Sequence, residues 1–280
     1  MTTITGETRL FPIVGDPIAQ VRSPQYLSEI LSQRGINAIV PPLHVTPDKL
    51  QATFLSLRAS PSVGGFVVTI PHKIPALSLC DQVSERAAFV GSVNIIRKGD
   101  DGLLYGDNVD GIGYLDGIKK LGYKPEGDRA LLIGAGGAGS AVAYEILARG
   151  ASYLAIYDVD EQRLSGLVER LNERFPGRVG VGSPDPGGYQ LVANVTPVGM
   201  KEGDPYPADA SKFIASQFVA DAITRPEVSP MVEQARAIGC KTMTGAGMFN
   251  AEAEILVDFL VKPQHPSQHQ EQDLSLSQEA

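Results

Sequence analysis

The sequence predicts an α/β fold in two units, on three observations. In mid-chain, ALLIGAGGAGSAVAYEILARG followed by SYLAIYD reads as strand, glycine turn, helix, strand and acid. On either side of it, short apolar runs alternate with stretches of helical period, the pattern of sheets with crossover helices. Finally, 280 residues with 43% hydrophobic and 20% charged content are enough for one large or two ordinary cores.

The first half is read in order. Residues 10–14 are a short apolar strand, broken by Gly15 and Pro17. Ser23 before Pro24 is a helix-start pair, with Ser23 as N-cap and Pro24 at the first helical position. That helix carries Leu27, Ile30 and Leu31 on one face and ends near Gly35. Residues 38–45 read as a second strand, and 47–57 as a helix with Leu50, Phe54 and Leu57 in phase. A β-branched strand follows at 65–70, closed by Pro71. Residues 75–89 read as helical, and 93–96 with 102–105 as a hairpin across the turn at 98–101. A helix over 111–121 bridges the two halves.

The second half repeats strand and helix at 130–134, 137–149, 153–158, 160–173, 190–193 and 217–220. A helix at 231–238, a strand at 241–244 and a long apolar helix at 248–261 complete it. Residues 263–280 are polar, Gln/Ser-rich and without apolar period, and are expected to form a disordered tail.

Gly134, Gly136 and Gly139 have the GxGxxG spacing of a dinucleotide site. The first glycine permits the tight turn, the second lets backbone N–H groups approach a pyrophosphate, and the third lets helix pack on strand. Gly137 and Ala138 sit between them at the start of the helix, whose N-terminus offers partial positive charge to phosphate. Asp158 ends the second strand about 20 residues on. There it would accept hydrogen bonds from both adenosine ribose hydroxyls and repel a 2′-phosphate. Val159 and Asp160 follow it, with no immediate Arg or Lys, so NAD is expected over NADP.

The formal charge of −8 argues against a nucleic-acid or anionic-membrane partner. Two scattered cysteines, Cys80 and Cys240, form neither a disulfide framework nor a zinc site, so no metal is expected, and both read as buried thiols. No run approaches a membrane span, and MTTITGETR lacks a signal peptide's apolar core. A cytoplasmic protein, monomeric or homodimeric, is the expectation.

Further motifs gather polar residues at element ends: GDPIAQVRSP (15–24), GFVVTIPHK (65–73), GSVN (91–94), GDNVDGIGY (106–114), NVTPVGM (194–200), DAITRP (221–226) and GAGMFNAEAE (245–254). In order, spacing and content they resemble the shikimate/quinate dehydrogenase family, over about residues 10–261. The resemblance implies an N-terminal substrate domain over 1–112, a Rossmann domain over 113–244, and a last helix (245–262) that returns to the first domain. It implies that Lys73 and Asp110 are the catalytic pair of a reversible alcohol–ketone oxidoreduction on a small cyclic polyol. Lys73 would take the alcohol proton or hydrogen-bond the oxygen, and Asp110 would orient it. Thr69, Asn94 and Asp110 would hydrogen-bond ring hydroxyls, while Asn108 reads equally as a turn residue that braces its loop. Asn194, Thr196, Pro197 and Met200 would belong to a loop on the nicotinamide side, with Gly245 and Met248 near it.

Three positions depart from the family pattern. Val21 replaces the first serine of a Ser-x-Ser pair that holds the substrate carboxylate, leaving Ser23, with Arg22 between them and Gln20 before them. Glu252 replaces a glutamine on the last helix, and Thr224 a tyrosine. A valine cannot donate to a carboxylate, and an ionised Glu252 would repel one. Strand-like alternation would turn Arg22 away from the face of Val21 and Ser23. Shikimate, quinate or an uncharged analogue therefore all stand as substrates. A non-catalytic NAD-binding relative is the rival reading, and a methylene-tetrahydrofolate dehydrogenase-like enzyme, of the same two-domain plan, is a third.

Overall fold

The computed structural model describes residues 4–19 and 21–262, so the tail read at 263–280 and the side chain of Gln20 lie outside the described residues. The first half runs β1 (Arg9–Leu10), β2 (Ile13–Gly15), α1 (Ser23–Gln33), β3 (Ala38–Ile39), β4 (Pro42–His44), α2 (Leu50–Ala59) and β5 (Gly65–Val68). It continues through α3 (Lys73–Leu77), β6 (Gln82–Val83), α4 (Glu85–Val90), β7 (Ile95–Lys98) and β8 (Leu104–Asp107). Its mixed sheet has the order β4-β2-β5-β7-β8-β6, with β5/β7 and β7/β8 antiparallel.

Three readings of this half need correction. Residues 38–45 are two strands in different sheets: β3 pairs with β1, and β4 pairs with β2. Pro41 and Pro42 have no N–H to donate, so Pro42 is tolerated only because β4 is an edge strand. Residues 75–89 are not one helix, because β6 adds to the sheet beside β8 between α3 and α4. Ser23 is not an N-cap: Arg22 holds that place with helical backbone angles and no side-chain cap, and Ser23 is the first residue of α1.

The second half opens with α5 (Asp110–Lys120) and continues β9 (Arg129–Ile133), α6 (Gly137–Ala148), β10 (Tyr153–Tyr157), α7 (Glu161–Arg174), β11 (Val179–Val181), β12 (Leu191–Asn194), β13 (Phe218–Asp221), α8 (Pro230–Ile238), β14 (Lys241–Met243) and α9 (Gly245–Val261). Its all-parallel sheet runs β11-β10-β9-β12-β13-β14. Counted from β9, that is the 3-2-1-4-5-6 order of a doubly wound dinucleotide fold, whose ligand crevice lies where the order reverses, between β9 and β12. β9 is buried beyond its first residue, and β12 and β13 throughout, as strands covered on both faces must be. The short strand β11 went unread.

The C-terminal helix α9 returns to the first half. Ala253, Leu256, Val257 and Leu260 share a core with Phe11, Ile13, Leu27, Leu31, Val67 and Ile95. Near its start, Met248 packs on the core of the second half. Glycines on α5 permit this bridge. A Cβ on Gly113 would come 2.8 Å from Glu252 Cβ, and one on Gly117 would come 2.9 Å from the Gly247 carbonyl. Among the described residues, no helix is long and apolar enough to cross a membrane.

Candidate active site

The glycine turn has the geometry its spacing predicts. Gly134, just past β9, has φ +111°. A Cβ on Gly139 would sit 2.1 Å from the Gly134 carbonyl oxygen, so that residue is held to glycine by helix–strand packing. Cβ atoms on Gly136 and Gly137 would meet nothing within 4 Å, which leaves the face of the turn open to a ligand. No side chain caps α6, so its first-turn N–H groups are left for an acceptor. These features fit a dinucleotide pyrophosphate.

Asp158 does more than wait for a ribose. Its Oδ2 accepts from Ala135 N at 2.7 Å and its Oδ1 from Asp160 N at 2.9 Å, which ties the end of β10 to the glycine turn. Across the switch point, Asn194 is fully buried. It accepts from Thr196 N and Oγ1 at 3.0 and 2.7 Å and donates to Asp221 Oδ1 at 3.1 Å, so its work is to shape the loop. Burial raises the Asp221 carboxyl above its ordinary range, against hydrogen bonds from Ser229, Ile223 N and Asn194. In that loop Pro197 is exposed, and Met200 is 49% exposed. Gly245 is glycine for packing: a Cβ there would lie 2.4 Å from the Ile223 carbonyl oxygen.

The second cluster assembles four chain segments. Lys73 opens α3 and Asp110 opens α5, and Lys73 Nζ donates to both Asp110 oxygens at 3.1 and 2.9 Å. A cation at a helix N-terminus is unfavourable, and the Asp110 carboxylate offsets this. Burial works to lower the Lys73 pKa, but the charges of Asp110 and Glu252 and the Asp110 hydrogen bond outweigh it and hold the ammonium above the ordinary lysine value.

Asn94, just before β7, is 2% exposed. It donates to Asp110 Oδ1 at 2.7 Å and Glu252 Oε1 at 3.4 Å and accepts from Val109 N at 3.0 Å. Its amide is thus engaged with Asp110 and Glu252 before any ring hydroxyl reaches it. Asn108 is the loop brace that one of its two readings described, accepting from Asp110 N at 3.1 Å and donating to Ser92 Oγ at 3.0 Å. Behind it Asp107 is held by Arg86, with Nε at 2.8 Å, an anchor the sequence reading missed because nothing in the local pattern separates it from an ordinary surface arginine.

Glu252 reaches this cluster from α9. Burial first, then the neighbouring Asp110 charge, pushes its carboxyl up to about 8 although Lys73 pulls the other way. That shift weakens the repulsion expected of a glutamate here.

The remaining substrate-side residues lie around α1. Thr69 is half-buried, with its methyl against Gly15. Val21 is half-buried and packs with Ile18 on the first core. The segment is not extended, because Val21 N bonds Ile18 O and Arg22 is helical, so the alternation argument against Arg22 fails. Val21, Arg22, Thr224 and Arg225 line one cavity of about 1200 Å³. Both cysteines are free, Cys240 buried as expected but Cys80 only half-buried, and burial pushes the Cys80 thiol up to about 11.

The family described as shikimate dehydrogenase substrate binding domain matches residues 13–96. A relative named shikimate dehydrogenase (NADP(+)), from Geobacter sp. strain M21, is 36% identical over 262 residues, covering 90% of this chain and 89% of its own. The fold superposes on shikimate 5-dehydrogenase from Listeria monocytogenes, solved with shikimate and NAD, with TM-score 0.87 and 25% identity over 98% of this chain and 99% of that one. It also superposes on the ligand-free 5-ketofructose reductase of Gluconobacter sp. strain CHM43, with TM-score 0.85 and 26% identity over 92% and 94% of the two chains.

Proposed function

The chain belongs to the shikimate dehydrogenase family, and from that premise we propose that it is an oxidoreductase that reversibly interconverts a ring hydroxyl and a ring ketone, with Lys73 and Asp110 as the catalytic pair. The observation that carries this reading is the two-pronged contact of Lys73 Nζ with Asp110. Gly111 strengthens it, because its backbone packs on the Ala141 carbonyl and sets Asp110 beside the opening turns of α6.

A bound nicotinamide dinucleotide would supply or receive the hydride. Gly136, Gly137 and the first turn of α6 would hold its pyrophosphate, and Asp158 its adenosine ribose. In the reducing direction the Lys73 ammonium donates a hydrogen bond and then its proton to the carbonyl oxygen as that oxygen becomes a hydroxyl. Asp110 orients the ammonium and stabilises it. In the oxidising direction the amine form of Lys73 must take the hydroxyl proton. Because the Lys73 ammonium is held above the ordinary lysine value, that form grows as pH rises, so oxidation is favoured in alkaline solution and reduction near neutrality.

We infer NAD as the preferred cofactor, on Asp158 followed by Val159 and Asp160, although relatives carry NADP(+) in their names. For the substrate, shikimate and quinate lead on family membership. The loss of a serine at Val21 and the likeness to a 5-ketofructose reductase, whose named substrate has no carboxylate, support uncharged polyols beside them.

Initial rates with NAD+ and NADP+ on shikimate, quinate and a decarboxylated cyclic polyol test this assignment. Lys73→Ala should lower kcat by roughly 10²–10⁴-fold and leave NAD+ binding in place. Wild-type protein that binds NAD+ and turns over none of these substrates would instead mean the non-catalytic relative.

A further inference from the structure

Glu252 is a second acid beside Asp110 in the candidate site. We propose that Glu252 is a charge gate: as a neutral acid it shares its proton with Asp110 and admits an anionic ring substituent, and as an anion it excludes that substituent while uncharged rings still bind. This rests on the oxidoreductase reading above and adds the substrate class selected by the same site.

The geometry gathers two carboxyl groups around one ammonium and one amide. Asn94 Nδ2 donates to Asp110 Oδ1 at 2.7 Å and to Glu252 Oε1 at 3.4 Å, so one amide bridges both acids. Lys73 Nζ is spent on Asp110, at 3.1 and 2.9 Å. Among the described residues Glu252 pairs with no cation of its own, and besides accepting from Asn94 it hydrogen-bonds with Asp110. Its position is fixed because α5 and α9 meet at Gly113, where a Cβ would be 2.8 Å from Glu252 Cβ. With Glu252 neutral, the cluster of Lys73, Asp110 and Glu252 carries no net charge. With Glu252 ionised it carries one negative charge, in a poorly solvated site where like charges repel strongly.

No other charged group on the surrounding elements takes over this part. On α1, Arg34 is held by Glu254 and by Asp258 at 2.6 Å, and Glu29 accepts from Gln25. On β7, Arg97 lies over the rings of Tyr105 and Phe259, and Lys98 donates to the Arg58 and Ser60 carbonyls. On α5, Asp116 pairs with Arg149, and Lys119 and Lys120 lie in the last turn, a helix away from Asp110. Strand β5 carries no charged side chain, and Lys241 on β14 is exposed. Asp110 and Lys73 are the groups that act on Glu252, and burial with Asp110 outweighs Lys73 in favouring the neutral acid.

This accounts for a glutamate where relatives are expected to carry glutamine. A protonated glutamic acid, like glutamine, presents one donating and one accepting group. It differs in that it can lose the donor.

The test is a KM profile for wild type and Glu252→Gln, with shikimate and with an uncharged ring polyol, at pH 7 and pH 9.5. It is paired with a carbon-13 NMR titration of the Glu252 carboxyl in labelled wild-type protein. If only the neutral-acid form accepts the anion, the wild-type KM for shikimate should rise about 30-fold between the two pH values. Glu252→Gln should hold it within a few-fold, and the KM for the uncharged polyol should stay level in both proteins. Equal rises in wild type and variant, or a Glu252 midpoint in the ordinary carboxylate range, would overturn the gate alone. Turnover of the uncharged polyol but of no ring acid at pH 7 would overturn the gate alone, and absence of turnover of every ring substrate would overturn the gate together with the functional reading it rests on.

Discussion

The proposed preference for NAD rests on Asp158, and replacing this residue would separate coenzyme selection from its bracing of the glycine turn. Its oxygens are fixed at the mouth of the glycine turn by Ala135 N at 2.7 Å and Asp160 N at 2.9 Å. A ribose whose hydroxyls reach that carboxylate would bring a 2′-phosphate within roughly 4–5 Å, where each pair of unit charges costs about 4 kcal/mol at an effective dielectric of about 20. Asp158 is half-buried, so solvent and salt cut this to about 1–2 kcal/mol. The 2′-hydroxyl hydrogen bond to a charged acceptor, which NADP lacks, adds about 1.5–3 kcal/mol in favour of NAD. Together these give wild type a preference for NAD+ of roughly 10²–10³ in kcat/KM. Asp158→Asn removes the charge, but its amide can accept from only one of the two N–H groups and leaves the other unpaired at about 1–3 kcal/mol. Its NAD+ efficiency should therefore fall about tenfold or more, with little gain for NADP+. Adding Val159→Arg, at a position 87% exposed, supplies the missing phosphate partner and should reverse the preference. Initial rates with both coenzymes at saturating ring substrate are the assay. Wild type preferring NADP+, or equal losses for both coenzymes in Asp158→Asn, would refute the argument and leave Asp158 as a brace only.

Two further outcomes follow from geometry and linkage. Gly139→Ala places a methyl 2.1 Å from the Gly134 carbonyl, so helix and strand must part at a cost of about 1–3 kcal/mol or more; thermal unfolding and NAD+ titration should both report it, and an unchanged Tm with unchanged binding would contradict the packing role. Glu252, raised from 4.5 to about 8 on folding, keeps in the native state a proton that the unfolded chain has lost. Its contribution to stability therefore declines as pH climbs from 4.5 to 8 and is level beyond. Glu252→Gln should match wild type near pH 4 and exceed it at pH 9 by up to about 5 kcal/mol, a Tm gain on the order of 5–10 °C. An equal Tm difference at both pH values would deny the coupling.

The second half was legible because its signals are local. The glycine spacing fixes the turn, the apolar runs fix the buried parallel strands, and both survive without knowledge of distant partners. The strand β11 escaped because it is three residues long and holds Gly180, whose missing side chain makes room for the Tyr153 hydroxyl. The first half was less legible for the opposite reason. Its strands are two to four residues long, and a proline pair divides what reads as one run into two sheets. At the site, the motifs named Lys73, Asp110, Asn94 and Glu252 but not their mutual bonds. Asn94 lies 16 residues from Asp110 and 158 from Glu252 in sequence, so no periodicity could reveal that its amide serves both acids. For Glu252 the sequence suggested repulsion, and only the structure shows the burial and the neighbouring Asp110 that push its carboxyl up.

The helix α5 explains why these parts act as one site. Asp110 opens it, where the positive end of the helix dipole favours an acid. One residue on, Gly111 rests against the Ala141 carbonyl of α6, the helix whose first turn awaits a pyrophosphate. One turn on from Asp110, Gly113 rests against Glu252, and a further turn on Gly117 rests against Gly247 at the start of α9. At Gly111 and Gly113 the approach is to backbone or Cβ atoms, while at Gly117 the Met243 sulfur lies nearest, ahead of the Gly247 carbonyl. The spacing of Asp110, Gly111, Gly113 and Gly117 thus joins the glycine-loop helix, the proposed catalytic acid and Glu252 along a single helix, and an alanine at Gly113 would push Glu252 from Asp110 without touching either carboxyl group.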